Sequence, residues 1–286
     1  MRNDSLSALF LHPQGRAFGA EGKMPTPIFQ VDAFTNRPFA GNPAGVCLIP
    51  SPRDDAWMLN VAREMNLSET AFVLKQGDGY NLRWFTPSVE VKLCGHATLA
   101  SAHILYENGI VSSDEEIRFH TLSDLLTATL DGDWIELDFP AKRLDGGNAP
   151  AELLKALGVK PEYVAANQGR YLIEVDSEET VRKLKPDFAL LRSMPGRCVI
   201  VTSRSDLAEY DFVSRYFAPW IGIDEDPVTG SAHCYLATFW GSKLGKCAFK
   251  ARQISARGGV LGVRLDGDRV HLGGQAVTVL RGELAD

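Results

Sequence analysis

Cys94, Gly95 and His96 stand in a row, and the ten residues 97–106 that follow carry no charge. A second segment, Asp224-Glu225-Asp226-Pro227-Val228-Thr229-Gly230-Ser231, leads in the same way into an uncharged stretch at 231–240. The start of a helix offers unpaired N–H groups and about half a positive charge. Two such starts, opened by Gly95 and Gly230 and facing one another, would bind an anion without any Lys or Arg. A carboxylate, or the enolate formed from one, suits that place. For either glycine alone, a tight turn is the simpler reading; the matched pair points to the site.

Acid–base groups surround these turns. His96 follows Gly95, Asp226 lies four residues before Gly230, and Glu69 stands at the threshold of an apolar strand in Asn66-Leu67-Ser68-Glu69-Thr70. Partial desolvation there would raise the carboxyl pKa and suit it to proton transfer near neutral pH. Spacing alone leaves each a structural alternative: a solvated Glu69, a packed His96, a helix-capping Asp226. A thiol just ahead of a helix is expected to have a lowered pKa, and racemases can use two such thiols on opposite faces of a carbon. Aligned on the glycines, however, the counterpart of Cys94 is Thr229, or Pro227 with one insertion. The second thiol is missing, so Cys94 is read as an auxiliary group or a small core residue.

The elements that must place these residues form a repeat. Arg83-Trp84-Phe85-Thr86-Pro87 recurs as Arg215-Tyr216-Phe217-Ala218-Pro219, and each copy leads through a glycine turn to an apolar helix and then to short strands. A helix uncharged nearly all round must be enclosed by protein. The expected architecture is α+β: two pseudo-symmetric halves, each a curved, mostly antiparallel sheet around a central helix. Helices are expected at 54–65, 97–107, 151–157 and 231–243. Strands are expected at 28–34, 45–49, 70–74, 81–85, 117–121, 125–130, 134–139, 171–175, 198–203, 253–256, 261–265, 269–272 and 276–280. Residues 1–23 read as an extension, 24–145 as the first half and 146–286 as the second, joined near the linker 145–150.

The 286 residues, 45% hydrophobic and 23% charged, exclude a disordered or fibrous chain. No uncharged apolar run reaches the ~18 residues of a membrane span. A net charge of −6 argues against nucleic acid as a partner. Five cysteines without a CxxC pair fit a reducing, cytoplasmic setting rather than a disulfide scaffold. Cys94-x-His96 and His233-Cys234 are not recurrent ligand spacings, so no metal is expected. Neither a phosphate loop, a dinucleotide fingerprint nor a GxSxG elbow is present.

Four motifs in order, VDAFTNRPFAGNPAGV, MNLSETAF, RWFTPSVEVKLCGHAT and RYFAPWIGIDEDPVTGSAH, resemble the phenazine biosynthesis PhzF-like family, which shares the diaminopimelate epimerase fold. The wording is closest to the phenazine biosynthesis-like domain-containing proteins. The resemblance implies a cofactor-independent isomerase, typically a homodimer, acting on a small carboxylate-bearing metabolite in the cleft between the halves. It implies Glu69 as proton shuttle with His96 and Asp226 beside it. It also implies Ser68, Gly95, Thr229, Gly230 and Ser231 around the substrate. The family's phenazine enzyme has Ala in place of Cys94 and Pro after His96, and it differs at Pro227-Val228. These departures bear on the substrate more than on the proton chemistry. A one-thiol epimerase using Cys94 and a non-catalytic binding protein are the competing readings.

Overall fold

The computed structural model describes residues 26–123 and 125–285, so the extension read at 1–23 lies outside the described residues. Among the described residues seventeen strands join in one continuous sheet, and the repeat is visible strand by strand. From the middle outward, the first half runs Trp134–Pro140, Leu125–Asp131, Ile117–His120, Gly79–Phe85, Thr70–Gln76, Asn42–Leu48 and Thr26–Ala33. The second half runs Arg269–Gly274, Gly259–Asp266, Ala248–Gln253, Phe212–Ala218, Cys198–Arg204, Arg170–Glu174 and Tyr163–Asn167. The successive pairings have the same sense in both: antiparallel, antiparallel, parallel, antiparallel, parallel, antiparallel. The halves are joined by an antiparallel ladder between Trp134–Pro140 and Arg269–Gly274.

The copies match down to single side chains. Arg83 Nε meets Glu90 Oε1 at 2.6 Å and Arg215 Nε meets Glu225 Oε1 at 2.7 Å. Each guanidinium also lies over a ring, Phe85 at 5.1 Å and Phe217 at 5.0 Å. One difference breaks the symmetry. The outer strand of the first half is covered by Ala276–Leu284, whereas the outer strand of the second half meets only an isolated bridge, Gly146 to Ala165.

The two central helices, Gly95–Glu107 and Gly230–Leu244, share one core with the inner faces of both half-sheets. Leu99, Ala100, Ile104, Leu236, Ala237 and Trp240 are fully buried, as the lack of charge requires. Outside the first half packs Asp55–Met65, started by Asp54 accepting from Trp57 N and ended by Asn66 in the left-handed region. Outside the second half pack Ala151–Leu157, Glu178–Lys183 and Phe188–Arg192. The last two, like strands Tyr163–Asn167 and Phe212–Ala218, are not among the expected elements. The helices are under two turns long, too short to show a period. The strand expected at 253–256 is instead Ala248–Gln253, and Ser255 turns away to donate to the Pro227 carbonyl.

Gly274 ends a strand at the junction, and a Cβ there would stand 2.4 Å from Phe34 Cδ1 and 2.8 Å from Leu99 Cδ1. Both neighbours are fully buried. Gly274→Ala is expected to destabilise the protein by about 1–3 kcal/mol through overpacking. The check is a lower urea midpoint with an unchanged denaturant slope.

Candidate active site

The tips of the central helices meet. A Cβ built on Gly95 would stand 3.6 Å from Gly230 Cα, and the reverse distance is 3.7 Å. The N-cap residues are Cys94 and Thr229, equivalent positions of the repeat, and neither makes a side-chain cap hydrogen bond. The first amides of each helix thus start, without a side-chain cap, where the two tips meet.

Glu69 immediately precedes Thr70–Gln76, and its carbonyl accepts from Gly45 N at 3.0 Å. Its side chain is 14% exposed, and Oε2 lies 3.4 Å from His96 Nε2, longer than a well-formed hydrogen bond. Burial first, and then the Asp226 charge, push the Glu69 carboxyl up to about 7. Burial pushes Asp226 up to about 6, opposed by its bonds from Thr229 and Asn42. Two carboxyls in one field titrate together rather than singly. Near neutral pH the pair holds roughly one proton that Glu69 can give or take. Burial holds the His96 imidazole down to about 4, so it is neutral.

Asp226 is fixed by parts of both halves. Asn42 Nδ2 donates to Asp226 Oδ1 at 2.9 Å and to the Val228 carbonyl at 2.8 Å, and Thr229 Oγ1 donates to Asp226 Oδ2 at 2.5 Å. Gln253 receives Thr229 N at 2.9 Å and donates to the Asp226 carbonyl at 2.7 Å. The turn just before Asn42 is clipped by Arg257, which donates to Asp32 Oδ1 at 2.7 Å, to the Ala40 carbonyl and to the Gly41 carbonyl. Asn42, Gln253 and Arg257 were not among the sequence candidates. Asn42 lay inside the GNP of the first motif but read only as part of a turn. Arg257-Gly258-Gly259 likewise reads as a turn in sequence.

Gly95, His96, Glu69, Asp226, Thr229 and Gly230 thus lie together. Ser231 is exposed at the second tip and Ser68 is half-buried beside Glu69. Thr229 gives both its amide and its hydroxyl to protein groups. Cys94 corrects an expectation: its thiol is held well above its ordinary value, first by burial and next by the Glu69 charge. The helix tip would lower it, but loss of water is the larger effect. Protonated, it lies 3.5 Å from His96 Nδ1. Donor atoms of Glu69, Cys94 and His96 come within 4.8 Å of one another. A metal held by them would have to displace the protons of the thiol and the carboxyl.

The sequence profile of a family described as phenazine biosynthesis-like protein matches residues 31–282. An uncharacterised isomerase of Halalkalibacterium halodurans is 57% identical over 262 residues, covering 91% of this chain and 99% of the relative. The human phenazine biosynthesis-like domain-containing protein is 40% identical, again covering 91% of this chain and 99% of the relative. A crystal structure of a phenazine biosynthesis protein of the PhzF family from Enterococcus faecalis superposes with a TM-score of 0.87 at 41% identity, covering 91% of this chain and 99% of that one.

Proposed function

This chain belongs to the phenazine biosynthesis-like protein family, and from that premise we propose that it is a cofactor-independent isomerase with Glu69 as its acid and base. The substrate is a small carboxylate-bearing metabolite. Its carboxylate lies on the amides of Gly95, Gly230 and Ser231. Glu69 takes a proton from carbon, the electron pair of that C–H bond moves into the adjoining π system, and negative charge develops toward the helix tips. Glu69, its proton now exchangeable with solvent, then protonates a second carbon of that system. The substrate leaves with its atoms and oxidation state unchanged. Neutral His96 and Asp226 hold its polar groups, and Ser68 and Thr229 border the cleft.

The observation that supports this most is a carboxyl raised to about 7 beside two helix tips in contact. A base poised near the working pH is the condition for efficient proton transfer in both directions. The test is a metabolite panel incubated with enzyme in D₂O and scored by mass gain. Glu69-dependent uptake of deuterium is expected, and its absence across carboxylates would sink the reading.

The one-thiol epimerase is less well supported, because Cys94 is held protonated and Thr229 occupies the symmetric place. Cys94→Ala is expected to keep the exchange rate within about tenfold of wild type, since no general base is removed. A loss of 10²-fold or more in that variant would return the thiol to the mechanism. The resemblance to the family also supports a cytoplasmic homodimer, which light scattering would test.

A further inference from the structure

The repeat shows what stands opposite Glu69. Arg83 pairs with Phe72 and Arg215 with Val201. Three residues earlier stand Glu69 in the first half and Cys198 in the second. The second half therefore has no acid in the place of Glu69, and a different set of groups gathers there.

Directly paired residues share a face of a sheet. Asp226 pairs with Tyr216, Tyr216 with Ile200, and Cys198, two residues from Ile200, with Arg170. Ile200 packs into the core around the central helices, so this row faces inward. It leads from the catalytic Asp226 to Arg170. Above it, Tyr235 lies about one turn, ~6 Å, beyond Ser231 along the helix. Lys142 Nζ is 5.8 Å from the Tyr235 ring centre, and Lys142 N donates to the Cys234 carbonyl at 3.3 Å. Arg197, next to Cys198, adds a third cation, and all three act electrostatically on the Cys198 thiol.

None of these cations has an ion pair among the described residues. Glu225 instead holds Arg215, Asp224 holds Arg192 and Glu174 holds Lys243. Three like charges gathered without an ion-pair partner give an anion a place to bind, even on a protein of net charge −6. We propose that the substrate carries two anionic groups, one on the paired helix tips and one on Arg170, Arg197 and Lys142, with Tyr216 and Tyr235 lining the way between. The assignment of the first anion rests on the isomerase reading above; the second rests on the cation cluster.

The test is calorimetric titration of the α,ω-dicarboxylates from malonate to suberate, each beside the monocarboxylate of equal length, at low salt. The best-matched diacid should bind about tenfold or more tightly than its monoacid, as a second charge-assisted contact provides. Arg170→Met with Lys142→Met should bring that ratio to about one, and the exposed Arg197→Met alone should reduce it partly. Glu69→Gln should leave the ratio intact. No binding, no diacid advantage in the wild type, or an advantage that survives loss of both cations would overturn the proposal. If Glu69→Gln instead keeps full deuterium exchange, the isomerase reading fails while the two-anion site stands.

Discussion

Glu69→Gln is expected to slow deuterium uptake into the substrate about 10²–10⁴-fold while leaving the protein folded. The same variant should be more stable than wild type at pH 8 and not at pH 5. The reason is the raised carboxyl, ordinarily 4.5 and here about 7. The folded state holds the proton more tightly than the unfolded one. That contribution is complete below pH 4.5 and is lost as pH rises through 7. Above that, wild type keeps a poorly solvated negative charge in the cleft, and the neutral amide does not. The gain at pH 8 should be ~1–3 kcal/mol. Urea midpoints at the two pH values read it directly. The exchange rate of wild type should rise through a limb near pH 7, as the base form appears. A variant that exchanges hydrogen at the wild-type rate would remove Glu69 from the chemistry altogether.

The second large effect is expected at Asn42. Its amide is wholly buried and joins the halves through Asp226 and the Val228 carbonyl. Asn42→Ala leaves both acceptors short of a donor and should cost about 2–3 kcal/mol of stability. It also removes a bond that lowers the Asp226 pKa, so Asp226 should bind its proton more firmly and the exchange rate should fall at least about tenfold. Asn42→Asp is the sharper test. It sets one buried carboxyl against another, and such a pair cannot hold two charges. Both carboxyls would then have pKa values raised above those of the unfolded chain. Stability should therefore be nearer wild type at pH 5 and fall steeply toward pH 8, which denaturation midpoints across that range would show. A flat profile would mean that Asp226 does not sit in the field assigned to it.

The helix tips were legible in sequence because each has a local signature. Glycine opens an uncharged run twice, and the Arg-aromatic-Phe-x-Pro pattern announces the repeat. Asn42 was not legible, because its partner Asp226 is 184 residues away and no spacing links them. Arg257 was missed for the same reason: its carbonyl partners at 40 and 41 lie in the other half. The lowered thiol pKa expected at Cys94 fails because a helix tip shows in the sequence whereas the depth of burial does not, while its reading as a small core residue agrees with its place in the core. The cation cluster is equally scattered, with Lys142, Arg170 and Arg197 brought together only by strand pairing and by the return of the chain after Pro140.

Six consecutive residue pairs bind Trp134–Pro140 to Arg269–Gly274. A molecule sewn along such a seam has no hinge of the kind that lets two lobes gape. Opening it widely would mean unzipping a ladder, so a guest at the helix tips would have to enter with those pairs kept. Recognition at the tips would then lean on prior fit rather than on a wide separation of the two lobes.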